Sequence, residues 1–377
     1  VFSGETLGNF LSRDPASYDA ITETFAYWDD IDFHWKGEVI RTTGHGFCGC
    51  GRVELLKLLH ARAQALGVEL KFHTEVDDIP ALMRGADLVV GADGINSKVR
   101  ETFKDVFQPE IEWRRNKFVW LGATKPSPAF TFNFAENKHG IWVLGEYQYN
   151  DKLATWIVEA PEETWASARA EVEHLSEPEI VAYMEGLWGD YLGGHKLVTN
   201  KSVWRQFPTV RCKTWHHENV VLIGDALHTA HYSIGSGTKL AMEDAIALAD
   251  ALAERPTVRD ALARFVEIRK EEVEKTQHAA DVSVIWTENP RRYADMPAWQ
   301  ATFSMLTRSK QVTYDNLRVR DGEFIEKVDR WFADQVRATG FNLEGDPPPM
   351  FTPLKLRDMT LANRVVVSPM DMYSAED

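Results

Sequence analysis

Two strand–turn segments constrain this chain more than anything else in it: "DLVVGADGINSKVR" at 87–100 and "VVLIGDALHTAHYSIGSGTKLAMEDAIAL" at 220–248. In each, a short apolar, β-branched run of the kind a buried strand carries breaks at glycine and aspartate. The second continues through a glycine-bearing loop into an amphipathic helix. An acidic turn before a helix start suits a ligand with phosphates or a ribityl chain, because the first backbone N–H groups of a helix are free to donate. The first segment admits two readings. Asp93 and Gly94 form a ligand-facing turn, or they are plain turn formers ahead of a helix capped by Ser97.

The flanking sequence alternates helix and strand patterns. "GRVELLKLLHARAQALG" carries Val53, Leu56, Leu59 and Ala63 as a helical stripe and stops at Gly67. "VELKFHTEV" reads as a strand and "ADLVVGADG" as a short buried one, the rhythm of a nucleotide-binding half-domain. The texture then changes. "FVWLGATK", "AFTFNFAEN", "GIWVLGEYQY" and "LATWIVEA" are aromatic and β-branched runs between turn residues, which predicts an antiparallel meander. Ser176, Pro178 and Glu179 spell a capping box at a helix start, and 256–285 reads as one long charged helix. The expected division is 1–117 and 206–337 as two parts of one α/β domain, the second ending in C-terminal helices. Between them lies an antiparallel-sheet substrate domain at 118–205. The Gly/Pro-rich stretch 338–349 is a linker, followed by a separate segment at 350–377.

Composition removes several function classes. A formal charge of −15 argues against a nucleic-acid partner. No apolar run reaches the roughly 18 residues of a membrane span, so no membrane partner is expected. Three cysteines, Cys48, Cys50 and Cys212, fit packed thiols in a reducing cytoplasm better than a disulfide framework or a metal site.

Taken together, the two segments resemble the DG and GD motifs of class A flavoprotein aromatic hydroxylases, the para-hydroxybenzoate hydroxylase-like family. The first motif is carried by Asp87, Ala92, Asp93, Gly94, Ser97 and Arg100. The second is carried by Gly224, Asp225, Ala226 and His228, with Gly235 and Gly237 in the loop. The resemblance implies an FAD-binding Rossmann-like fold. It assigns Asp225 to the ribityl chain of FAD, with Ala226 beside it, and lays Gly235, Ser236, Gly237 and Thr238 along the isoalloxazine edge. "GHGFCGCGR" and the spacing at Leu306–Ser309 are similar to the salicylyl-CoA 5-hydroxylase and 2-aminobenzoyl-CoA monooxygenase/reductase group. There Arg52 matches a position reaching the FAD pyrophosphate or ribose; its other reading is a solvated first-turn arginine.

That group implies an activity. NAD(P)H reduces FAD, O₂ is trapped as a C4a-hydroperoxyflavin, and an aromatic acyl-CoA bearing an ortho hydroxyl or amino group is hydroxylated at ring position 5. Arg114, Arg115 and Lys117, or Arg291 and Arg292, are candidate partners for the coenzyme A phosphates. Tyr232 and Lys239 depart from the wider family, so substrate-side roles do not carry over. His231 and Tyr232 either orient substrate or pack the loop, and Trp120 and Trp142 are either pocket wall or core. Two other readings stand beside this one: a flavin hydroxylase of a free aromatic acid or natural product, and a non-catalytic fragment.

Two departures concern the ends. No G-x-G-x-x-G strand–turn occurs in residues 1–50, as if roughly 40 residues, one βαβ unit, preceded them. "FTPLKLRDMTLANRVVVSPM" resembles the opening of an old yellow enzyme-like FMN barrel: a hairpin, then a first strand at Val365–Val367, with Pro369 and Met370 approaching FMN. That resemblance implies on the order of 300–400 further residues, one barrel plus extensions.

Overall fold

The computed structural model describes residues 2–368. Its centre is an eight-stranded mixed sheet in the spatial order Leu197–Val198, Pro109–Ala123, Ala154–Ala160, Gly140–Gln148, Phe130–Asn137, Ile31–Trp35, Glu38–Thr42, with Arg205–Cys212 also paired to Pro109–Ala123. The predicted meander is present as four antiparallel strands between 109 and 160. It is extended beyond 118–205 by Ile31–Trp35, which runs parallel to Phe130–Asn137, and by Arg205–Cys212.

Register divides this sheet into two faces. Trp142, Leu144, Trp156, Val158, Val119 and Leu121 pack under the helices Glu162–Val172 and Glu177–Leu187. The second of these begins with the Ser176–Glu179 capping box that its sequence spells. Successive strand side chains alternate, so Phe118, Trp120, Tyr147, Ile157, Glu159 and Phe132 share the opposite face. Trp142 is fully buried under the helices and belongs to the core, while Trp120 is only partly buried and sits on the other face.

A second, small sheet brings the two motifs together. Val220–Leu222 pairs in parallel with Val89–Gly91. A parallel pair needs a long crossover, and here six of the eight strands of the large sheet lie in the chain between the partners. Helices Gly237–Glu254 and Val258–Glu288 cover this pair, and Leu240, Leu248, Phe265 and Val273 complete its core.

Three expectations need correction. The segment 68–76 forms no strand: no described strand lies beside it, and Val68, Phe72 and Val76 are exposed. Backbone without a ladder partner has no reason to stay extended. Helix Arg52–Ala65 forms, but it buries Leu55 rather than the apolar stripe, leaving Val53 and Leu56 exposed. At the far end the hairpin Leu354–Leu356/Met359–Leu361 is present, whereas Val365–Val367 is an exposed irregular segment. The Val365 amide donates to the Asn363 side chain instead of to a neighbouring strand. Pro369 and Met370 lie outside the described residues.

Candidate active site

One arginine ties together the two turns that the small parallel sheet places side by side. Arg100, buried behind the first turn, donates from Nη1 to the Ala226 carbonyl at 2.8 Å and from Nη2 to the Ile95 carbonyl. The Ile223 amide reaches the Gly91 carbonyl at 3.1 Å and completes the junction. Asp93 takes the Val99 amide at 3.1 Å and Ser97 the Arg100 amide at 2.9 Å, so both side chains cap the short helix Lys98–Thr102. Asp87 is exposed at the strand entry.

Asp244 supports the second turn from below. Its carboxylate, fully buried, accepts the Gly224 amide at 2.9 Å, His228 Nε2 at 2.8 Å and Arg269 Nε at 3.0 Å. Burial works to raise this carboxyl, but His228, the Gly224 amide and Arg269 together hold it below its ordinary value. Gly224 has φ +56, and a Cβ there would stand 3.0 Å from the Ala241 side chain, so the turn can be this tight only with glycine.

Asp225 projects out of this turn with its side chain open to solvent on one side. Crowding on the other sides raises its carboxyl above the usual range, against the pull of His228 and Arg52. Arg52, at the start of its helix, is therefore within electrostatic reach of Asp225, as a shared site requires. The loop beyond carries Gly235 in the left-handed region (φ +65) and leads through Ser236 into the helix beginning at Gly237. No atom lies within 4 Å of where a Cβ would stand at Gly94, Gly235 or Gly237. Gly235 and Thr238 are exposed. An open carboxylate, a nearby guanidinium and bare backbone at a helix start form a donor and acceptor set that fits the ribityl and ring portions of FAD.

His231 and Tyr232 turn inward, toward the aromatic face of the sheet. The Tyr232 ring lies 5.0 Å from Phe118, 5.8 Å from Trp120 and 5.7 Å from Phe207, all edge-on. Its hydroxyl is shielded and faces the Glu159 carboxyl without a well-formed hydrogen bond. Burial raises the Glu159 carboxyl, although Asn116 donates to it at 2.7 Å. His231 is buried against Phe207. Its Nδ1 accepts the Ser233 amide at 3.2 Å, so the ring proton sits on Nε2. Burial first, then Arg114 and Arg308, push its pKa down to about 3. It is neutral at physiological pH and cannot serve there as a proton donor in imidazolium form.

Arg308, Glu159, Asp244 and Arg269 went unremarked in the sequence as site residues. Only the Leu306–Ser309 spacing pointed toward the first, and nothing local marks the other three. The proposed phosphate cations do not gather at the aromatic face. Arg114 is buried and engaged by Glu288 at 2.8 Å and Glu112 at 3.2 Å. Lys117 lies over the Trp165 ring on the helical side, and Arg115 and Arg291 pair with Glu162 and Glu163 of that same helix. Among the described residues no cluster of His, Cys, Asp and Glu could hold a metal, and no helix is long and apolar enough to cross a membrane. Cys48, Cys50 and Cys212 are free thiols.

Comparison with known proteins agrees with this geometry. A family model described as FAD binding domain matches residues 11–280. A salicyloyl-CoA 5-hydroxylase from Streptomyces sp. is 37% identical over 100% of this chain and 72% of its own length. A 3-hydroxy-4-methyl-anthranilyl-[aryl-carrier protein] 5-monooxygenase from Streptosporangium sibiricum is 35% identical over 82% of each chain. Among solved structures, 2-methyl-3-hydroxypyridine-5-carboxylic acid oxygenase shares the fold, with a TM-score of 0.58 at 18% identity over 81% of this chain and 85% of that one. An FAD cradle beside an aromatic sheet defines the class, a flavin-dependent aromatic monooxygenase. The chain belongs to the FAD-binding-domain family of these enzymes.

Proposed function

We propose that this enzyme hydroxylates ring position 5 of an ortho-hydroxy or ortho-amino benzoyl thioester, using NAD(P)H and O₂. The observation that carries the reading is the adjacency of two surfaces: the open FAD loop 235–238 and, one turn earlier in the chain, Tyr232 on the aromatic face of Phe118 and Trp120. Overall, one oxygen atom enters the ring C–H bond and the other leaves as water, with NAD(P)H supplying two electrons. FAD, when bound, supplies the coupling of that reduction to O₂ activation. The residues proposed to hold it are Asp225 and Arg52 at the ribityl and phosphate side, Asp93, Gly94 and Ala226 at the joined turns, and Gly235, Ser236, Gly237 and Thr238 along the ring.

The remaining task of the protein is to orient the substrate ring and exclude water. Phe118, Trp120 and Tyr232 present an apolar wall, which a reactive oxygen species needs to avoid loss to solvent. His231 and Tyr232 position that wall. The names of two relatives support a thioester: one acts on a coenzyme A ester, the other on an aryl group carried by a protein, and both names specify position 5. A free aromatic acid is the second reading. It is favoured by one observation: Arg114 is occupied, while Arg115, Lys117 and Arg291 lie on the helical side of the sheet.

The test is turnover of salicylyl-CoA, 2-aminobenzoyl-CoA, salicylate and anthranilate by the FAD-loaded protein, with products identified by mass spectrometry. A 5-hydroxylated thioester is expected. Equal turnover of the free acids would transfer the conclusion to the second reading. We further propose that the hairpin 354–361 opens an FMN-binding reductase domain in the full polypeptide, which sequencing beyond Asp377 decides.

A further inference from the structure

Where the FAD loop meets the aromatic face, two polar atoms besides the Tyr232 hydroxyl are shielded from solvent and have no partner. Arg308 donates from Nη1 to the Met305 carbonyl and from Nη2 to the Ser233 carbonyl, each at 2.7 Å, and its guanidinium lies 5.1 Å from the Phe132 ring centroid. Its third nitrogen, Nε, makes no hydrogen bond, and neither does the Ser233 hydroxyl on the residue whose carbonyl it holds. The two bonds made by the Nη atoms fix the guanidinium plane, so Nε–H is presented in a fixed direction. Burial lowers Arg308 to about 10, which still leaves a cation at neutral pH, and Glu159 acts on it from the same sheet face. A shielded donor without a partner is costly, and in a native site it calls for an acceptor that arrives with a ligand.

We propose that Arg308 Nε and Ser233 Oγ receive the ortho oxygen of the aromatic substrate, so that the ring donor this enzyme selects is a hydroxyl group and not an amino group. The proposal rests on the ring hydroxylation put forward above. Arginine has donors only. A hydroxyl oxygen, and still more its ionised form, accepts from them, whereas an amino group turns its own N–H bonds toward the guanidinium and meets donor with donor. A cation beside the oxygen also favours the phenolate, whose electron density is greatest at the ring positions ortho and para to it, position 5 among them.

The test is equilibrium binding of salicylyl-CoA, 2-aminobenzoyl-CoA and benzoyl-CoA to the FAD-loaded protein, alongside turnover of each. The ortho-hydroxy thioester should bind at least about tenfold tighter than the other two, the scale of one net hydrogen bond. Arg308→Met should erase that preference, Arg308→Lys should restore part of it, and Ser233→Ala should weaken it, with flavin content and melting temperature used to confirm folding. Equal binding of the hydroxy and amino thioesters by the wild-type protein overturns the assignment while leaving the proposed reaction standing. So does a preference that survives in a folded Arg308→Met protein. If the wild-type enzyme hydroxylates some other aromatic and none of the three thioesters, the proposed function falls, and this assignment with it.

Discussion

Asp225 is the residue on which the flavin assignment turns, because its carboxylate stays open while everything around it is tied down. Asp244 and Arg100 fix the turn, yet no protein hydrogen bond engages the Asp225 side chain itself among those described. A charge-assisted hydrogen bond to a ribityl hydroxyl is worth roughly 1.5–3 kcal/mol. Asp225→Ala should therefore weaken FAD binding by roughly ten- to a hundredfold, read as flavin content after purification and as a titration of the apoprotein. The fold should be unaffected, because an open side chain contributes little packing. Wild-type flavin content in the variant would remove Asp225 from the site. Tyr232 illustrates a different point at this scale. Burial and the neighbouring Glu159 push its hydroxyl well above the ordinary tyrosine range, so it acts as a fixed wall and a neutral dipole, not as an anion.

Among the secondary-structure elements, Asp244 is the joint. It lies on helix Gly237–Glu254, holds the turn after Val220–Leu222 through Gly224 and His228, and pairs with Arg269 on helix Val258–Glu288. Removing one member of a buried charge network strands the others, at a cost of about 3–5 kcal/mol. Asp244→Ala should lower stability by that order, measured by denaturant unfolding, and Asp244→Asn by less, since the amide still accepts one hydrogen bond. An unchanged midpoint in Asp244→Ala would show that His228 and Arg269 find other partners. The joint also shows what a single sequence conceals. The strands, the long helix and the Ser176 cap were legible because their signals are local: alternation, 3.6-residue spacing, a serine three residues before a glutamate. Asp225 and the glycine loop were legible as a motif. Asp244, Arg269, Glu159 and Arg308 act through partners 16 to 75 residues away, and no spacing rule reports such contacts. The failed strand at 68–76 is the converse, a good local pattern without a described neighbour to pair with.

Across the whole molecule, a buried histidine, His231, and a half-buried one, His45, sit at seams between parts of the fold. His231 joins the FAD loop to the eight-stranded sheet through Phe207. His45 bonds Thr42 Oγ1 at 2.7 Å, next to Gly44, where a Cβ would stand 2.3 Å from the Arg320 carbonyl of the C-terminal helices. Burial first, then nearby arginines, lower their pKa values to about 3 and about 4, although aspartates around His45 pull the other way. The sign follows from proton counting. Between these values and the unfolded value near 6.5 the unfolded chain binds more protons than the folded one, so stability rises with pH. The contribution is fully present above about 6.5 and declines as pH falls toward 4 for His45 and toward 3 for His231. Acidification should therefore lower the unfolding free energy through this window, by roughly a few kcal/mol in total. Raised carboxyls such as Glu159 act with the opposite sign, so the clean measurement is a difference. The pH slope of the wild-type protein should exceed that of His231→Asn, which keeps an acceptor for the Ser233 amide but carries no titrating ring. If the two slopes coincide between pH 4 and 6.5, His231 takes up a proton without the loop leaving the sheet, and the seam is not what acid opens.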